Sequence, residues 1–172
     1  MVVKSAAETD FEDFVRTQGP RLLRMAWLLT GDAHLAEDLL QTALAKVWPR
    51  WHVIAESQPE AYVRKTIIHT HATWWRRRWR GETPYEHLPE PTQTRVDPYA
   101  MFNLNRVLAA AVRRLPRRQR AVITLRYFED LSVEETANVL GCKAGTVRSQ
   151  SAKAVRVLRA VLAESHADLL WD

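Results

Sequence analysis

The amino-acid sequence predicts an all-α fold: two small helical domains joined by a flexible linker. Three observations carry this reading. Apolar residues recur at helical spacing in both halves, with no strand-like alternation. Helix start and stop signals punctuate the chain, among them Ser132-x-x-Glu135 and the glycines Gly31 and Gly141. Between the halves, "GETPYEHLPEPTQTRVDPYA" holds Pro84, Pro89, Pro91 and Pro98 and little apolar periodicity. The expected boundaries are residues 8–80, a linker over 81–100 and a second domain over 101–165.

The elements follow in order. Thr9-x-x-Glu12 reads as a capping box, in which a hydroxyl and a carboxylate each satisfy a free N–H of the first turn, and opens a helix over "FEDFVRTQ". Gly19-Pro20 predicts that this helix stops and that another starts over "PRLLRMAWLL", ending at Thr30-Gly31. Asp32 is the N-cap expected for "AHLAEDLLQTALAKVW", where Leu35, Leu39, Ala43 and Val47 form a buried stripe. Pro49 ends that helix, and "PRWHVIAESQ" reads as a loop. Ser57-x-x-Glu60 is a second capping box, opening "AYVRKTIIHTHATWWRRRWR", which Gly81 and Pro84 close. Val63, Ile67, Thr70 and Trp74 share one stripe of it, which puts Trp74 in the core. The linker is acidic, with Glu82, Glu86, Glu90 and Asp97 against Arg95. Fully extended, it spans up to about 65 Å. In the second half "FNLNRVLAAAVRRL" is one helix, and Pro116 starts the next, "PRRQRAVITLRYF". Ser132 opens "VEETANVL", Gly141 stops it, and the turn "CKAG" leads into "TVRSQSAKAVRVLRAVL".

The 172 residues carry a formal net charge of +5, with arginine dominant among the basic side chains and clustered along the chain. That balance favours a phosphate-bearing partner such as nucleic acid. At 47% hydrophobic the chain can bury a core. The single cysteine, Cys142, forms no internal disulfide and fits a reducing compartment. "MVVKSAAETD" lacks the apolar run of a signal peptide, and no segment approaches the roughly 20 apolar residues of a membrane span. A cytoplasmic protein without membrane insertion is expected.

A short helix, a glycine turn and a longer basic helix make the helix-turn-helix pattern, whose second helix enters the major groove of DNA. Val147, Ser151, Ala154 and Leu158 fall on one face of that second helix and suit packing. Thr146, Ser149, Gln150 and Lys153 fall on another face, with Arg148 beside them, and are side chains that hydrogen-bond bases or phosphates.

Here the sequence resembles a known family. "LSVEETANVLGCKAGTVRSQSAKAVRVLR" is similar to the C-terminal DNA-binding region of bacterial extracytoplasmic-function (ECF) sigma factors. "AEDLLQTALAKVW" and "AYVRKTIIHTHATWWRRRWR" resemble the core of their N-terminal domain. The resemblance implies a sigma-two-like bundle and a sigma-four-like helix-turn-helix domain, with core RNA polymerase and promoter DNA, both duplex and melted non-template strand, as partners. Glu37, Asp38 and Gln41 match the polar positions that dock on polymerase. The resemblance places Arg64, Lys65, His69, Trp75, Arg76, Arg77 and Trp79 on the minus-ten element, and Thr146, Arg148, Ser149, Gln150 and Lys153 on the minus-thirty-five element. An anti-sigma factor is a further partner that it allows. Tryptophans interleaved with arginines suit single-stranded DNA, which offers base faces to stack on and phosphates to neutralise. Trp75 and Trp79 either do this or cover the edge of the domain. The sequence departs from the family at His69, where Asn is usual; His69 either still reads the strand or has become a packing residue.

Other readings have less behind them. His69-x-His71 places two imidazoles on nearly opposite sides of a helix, so no metal site is expected, and Cys142 reads as a packing residue. No phosphate loop, nucleophile elbow or carboxylate pair points to an enzyme or to a cofactor. A free-standing helix-turn-helix regulator is the alternative function, and a purely protein-binding helical adaptor a third.

Overall fold

A computed structural model of the chain describes residues 5–79 and 106–169, with side chains over 5–77 and 107–164. The predicted linker and the side chain of Trp79 lie outside the described residues.

Helix α1 (Ala6–Thr30) starts one capping box earlier than expected. Ser5 Oγ accepts from the Glu8 N–H at 3.2 Å, and Glu8 Oε2 accepts from the Ser5 N–H at 2.7 Å. Thr9 lies within the helix, its hydroxyl donating back to the Ser5 carbonyl at 3.4 Å. The helix also runs straight through Gly19-Pro20, against expectation. A proline inside a helix costs about 3 kcal/mol. Here it sits on the exposed side, while Leu22, Met25 and Leu29 continue the apolar stripe begun by Phe11 and Phe14. Burying each of those side chains stabilises by roughly 1.5–3 kcal/mol, enough together to carry the helix across the proline.

Gly31 ends α1 in the left-handed region, at φ 69°, and Asp32 Oδ1 caps α2 (Ala33–Val47) by accepting from the Leu35 N–H at 2.9 Å. Leu39, Ala43 and Val47 are fully buried and Leu35 partly so, as the stripe predicts. The predicted loop after Pro49 is helical instead: a 3₁₀ turn, Trp48–Arg50, followed by α3 (Trp51–Ile54). Burial overrides the proline here too. Trp51 packs its ring 5.0 Å from Phe11 and 4.9 Å from Phe14, and its indole N–H donates to Asp10 at 3.0 Å.

Helix α4 (Pro59–Trp79) begins two residues after Ser57, with Pro59 at the first position, where its missing N–H costs nothing. Glu60 pairs across to Arg21 of α1 at 3.1 Å. Val63, Ile67 and Thr70 are buried, and Trp74 packs against the same core.

The second half consists of α5 (Arg106–Arg114), α6 (Arg117–Ile123) with a π turn over Thr124–Phe128, α7 (Val133–Leu140) and α8 (Ala144–Leu169). The Ser132–Glu135 box forms as expected: Ser132 Oγ accepts from the Glu135 N–H at 3.0 Å, and Glu135 Oε2 from the Ser132 N–H at 2.7 Å. Leu115, Ile123 and Ala154 form one small cluster, and Val122, Ala137 and Val147 a second beneath the helix-turn-helix.

The two helical units are both present, yet they share a core. Ala109, Val112 and Leu125 of the second half belong to the same cluster as Leu22, Leu29, Leu39 and Ile67 of the first. Helix α1 packs on α2, α4 and α6, and α4 packs on α7.

Candidate nucleic-acid interface

Gly141, at φ 65°, turns the chain between α7 and α8, and the Cys142 N–H donates back to the Ala137 carbonyl at 3.0 Å. Val147 and Ala154, both fully buried, pin α8 against the domain. That anchoring turns Arg148, Ser149 and Lys153 outward, and all three are exposed. Arg148 pairs with Glu134 at 3.4 Å, both side chains remaining open to solvent. Thr146 and Gln150 are half-buried and line a cleft that Trp75 and Arg76 of α4 also line. Cys142 is half-buried against Val122, Ala137 and Val147, the packing role expected, and that burial pushes its thiol pKa up.

On α4, Lys65, His69 and Arg76 fall at offsets of four and seven along one exposed face, with exposed Arg77 beside them. Arg64 does not join this open face: its guanidinium pairs with Glu129 of the second half, Nε to Oε2 at 3.0 Å. The tryptophans divide. Trp74 packs on the core, whereas half-buried Trp75 faces the second half, lining a cleft with Arg76, Cys142, Thr146 and Gln150. Arg76 Nη2 reaches the Val139 carbonyl at 3.5 Å. His71, with its ring centre 6.3 Å from that of Trp75, is buried. Burial, and then the charges of Arg120 and Arg117, push its pKa down to about 4, so it is neutral at physiological pH.

Glu37, Asp38 and Gln41 project from α2 into solvent, opposite buried Ala36, Leu39 and Leu40. Among the described residues no three His, Cys, Asp or Glu side chains cluster as a metal site would require. Nor is any described helix long and apolar enough to cross a membrane.

Residues that sequence reasoning passed over hold the two halves together. Arg120 is buried and donates from Nη2 to the Thr30 carbonyl at 2.7 Å, and Thr124 Oγ1 donates to the Leu28 carbonyl at 3.0 Å. In "RRQRAVI" Arg120 looks like one more solvated arginine. The available signal was its spacing, three residues from Arg117 and one turn before Thr124, on the side that carries Ile123 inward.

Comparison with known proteins covers both halves. The family described as Sigma-70 region 2 matches residues 14–81, and Sigma-70, region 4 matches residues 105–158. The chain is 41% identical over 156 residues to the RNA polymerase sigma-E factor of Streptomyces coelicolor, covering 87% of this chain and 84% of that one. It is 34% identical over 149 residues to the ECF RNA polymerase sigma factor SigL of Mycobacterium tuberculosis, covering 83% of each. Among solved structures, the sigma factor RpoE from Bartonella quintana, co-crystallised with the anti-sigma factor NepR, superposes with a TM-score of 0.59 at 25% identity, covering 90% of this chain and 97% of that one. The two matched regions fall on the two helical units, in the same order and on either side of the predicted linker, and with relatives above 40% identity along most of its length the chain belongs to the extracytoplasmic-function family of RNA polymerase sigma factors.

Proposed function

We propose that the chain binds core RNA polymerase and carries it to promoters through two DNA contacts, acting in the cytoplasm as a binding and positioning subunit without catalytic chemistry of its own. The single observation that carries the reading is the helix-turn-helix built on Gly141. Val147 and Ala154 anchor α8 so that Arg148, Ser149 and Lys153 are exposed on its N-terminal turns. A major groove about 12 Å wide admits such a helix, and Arg, Ser and Gln match guanine and adenine edges there. Thr146 and Gln150 complete the minus-thirty-five set. The minus-ten set is Arg64, Lys65, His69, Trp75, Arg76, Arg77 and Trp79 on α4. Stacking on an aromatic ring contributes roughly 1–3 kcal/mol per base and tolerates any sequence, while the arginines neutralise phosphate. Glu37, Asp38 and Gln41 form the polymerase dock. The solved complex of a related sigma factor with an anti-sigma factor supports a protein of that kind as a further partner.

The test is in vitro transcription with core polymerase on a randomised promoter library. Transcripts enriched for two spaced elements, obtained only when chain and polymerase are both present, are expected. Tight sequence-specific duplex binding by the chain alone, with no polymerase-dependent transcript, would replace this reading with a free-standing helix-turn-helix regulator.

A further inference from the structure

Three arginines, Arg21 and Arg24 of α1 and Arg64 of α4, line a recess of about 220 Å³. Its apolar wall is Leu22, Met25 and Leu28 of α1 with Phe128 from the second half. Two of the three guanidiniums are already answered. Arg64 pairs with Glu129, whose side chain is only 8% exposed, and Arg21 pairs with Glu60 at 3.1 Å. Arg24 is not: half-buried, it has no hydrogen bond or ion pair among the described residues. Three arginines against the two carboxylates Glu60 and Glu129 leave one positive charge over, and it sits on Arg24.

A guanidinium stays charged at any physiological pH, so drawing it partly out of water beside two others of the same sign has a cost that a bound anion offsets. Its planar fork takes a carboxylate or phosphate through two parallel N–H···O bonds. Arg21 and Arg64 have N–H groups to spare for the same anion, since each guanidinium carries five. The apolar wall defines the rest of the ligand. A bare inorganic ion leaves that wall facing water, whereas a compact apolar body covers it. The recess lies below the roughly 300 Å³ at which drug-sized pockets begin and holds about seven waters, which limits that body to a single ring or a short branched chain. We propose that this recess binds a small organic anion, one carboxylate or phosphate group on a compact apolar body, with Arg24 as its principal partner and Arg21 and Arg64 beside it.

The arginines come from the first half and Phe128 from the second, so the site is whole only where the two halves meet. An anion that binds there and not to the unfolded chain stabilises the folded chain by mass action. The concentration of a small metabolite is thereby coupled to the stability of the free protein.

The experiment titrates the full chain at low ionic strength with benzoate, phenyl phosphate, inorganic phosphate and benzyl alcohol. Calorimetry reads the affinity. The methyl resonance of Met25 reads the place, since Met25 lines the recess and is the one methionine among the described residues. Benzoate or phenyl phosphate is expected to bind one to one and to shift Met25. Either should bind at least about ten-fold more tightly than inorganic phosphate, which lacks the body, or benzyl alcohol, which lacks the charge. Whichever of the two binds more tightly names the oxyanion. Arg24→Gln removes a charge-assisted pair and should weaken binding about ten-fold or more. Arg24→Lys keeps the charge without the fork and should fall between. Arg16→Gln, at an exposed arginine elsewhere on α1, should bind as wild type does. Without ligand, Arg24→Gln should be no less stable than wild type, because the charge it removes has no partner. No binding of either aromatic anion, equal affinity for inorganic phosphate, or full affinity retained in Arg24→Gln overturns the site. A Met25 shift produced by a single-stranded oligonucleotide and not by the small anions also overturns it, and makes the recess a DNA contact.

Discussion

His71 shows how one buried side chain ties folding to pH. Its pKa is about 4 in the folded chain, held down first by burial and then by Arg120 and Arg117. In the unfolded chain it returns to about 6.5. Between those values the unfolded state binds a proton that the native state refuses, so stability falls as pH drops from 6.5 toward 4 and levels off below. At about 1.4 kcal/mol per unit, the window removes about 3 kcal/mol. His71→Gln lacks this titration. Urea unfolding across pH 4–7 should show wild type losing that much more stability than the variant, and parallel curves would refute the assignment. His69, two residues away, is exposed and therefore free to meet a strand. It presents its donor and acceptor on opposite sides of a ring, whereas Asn presents both on one edge. His69→Asn should therefore change the base selected at a minus-ten position. Equal yields from the same promoters would remove His69 from the minus-ten set.

Among the elements, the helix-turn-helix separates positioning from reading. Ser132→Ala removes the cap of α7 and should cost about 1 kcal/mol of stability, measured by denaturant midpoint, with minus-thirty-five preference unchanged. Arg148→Ala or Ser149→Ala should instead cost roughly 1–3 kcal/mol of binding at one or two promoter positions. A uniform loss over all promoters would mark the side chain as a phosphate contact. What was legible in the sequence divides along a similar line. Asp32, Ser132, Gly31 and Gly141 act through their own neighbouring backbone, so their types and spacings suffice. Ser5-x-x-Glu8 and Thr9-x-x-Glu12 sit in tandem, and local chemistry alone does not choose between them; the helix takes the earlier. Pro20 inside α1 and the helical turn at Trp51 are set by burial against distant residues, which no local signal carries. The outward face of α8 was legible from period alone. The engagement of Arg64 and Trp75 with the second half was not, because it depends on how the halves meet.

At the scale of the whole molecule, the shared core makes a prediction that a pair of tethered domains would not. Leu125 is fully buried in the cluster that contains Leu22, Leu29 and Ile67, so the second half completes the core of the first. Six of the seven tryptophans, Trp27, Trp48, Trp51, Trp74, Trp75 and Trp79, lie in the first half. Indole fluorescence therefore reports mainly that half, while amide exchange in α6 and α8 reports the other. If this packing is the resting state, both probes should give one transition with the same free energy, the behaviour of a single cooperative unit. Leu125→Ala should cost roughly 2–5 kcal/mol, and the loss should register in both probes although the substitution lies in one half. Thr124→Ala with Glu129→Gln should separate the transitions instead, since it loosens the seam and leaves each half its own helices. Two transitions already in wild type, with Leu125→Ala moving only one of them, would mean that the halves fold apart and that their packing contributes little to the free chain. A single transition would also mean that neither half opens at a lower free energy than the other, so that the shared core sets one stability for the whole chain.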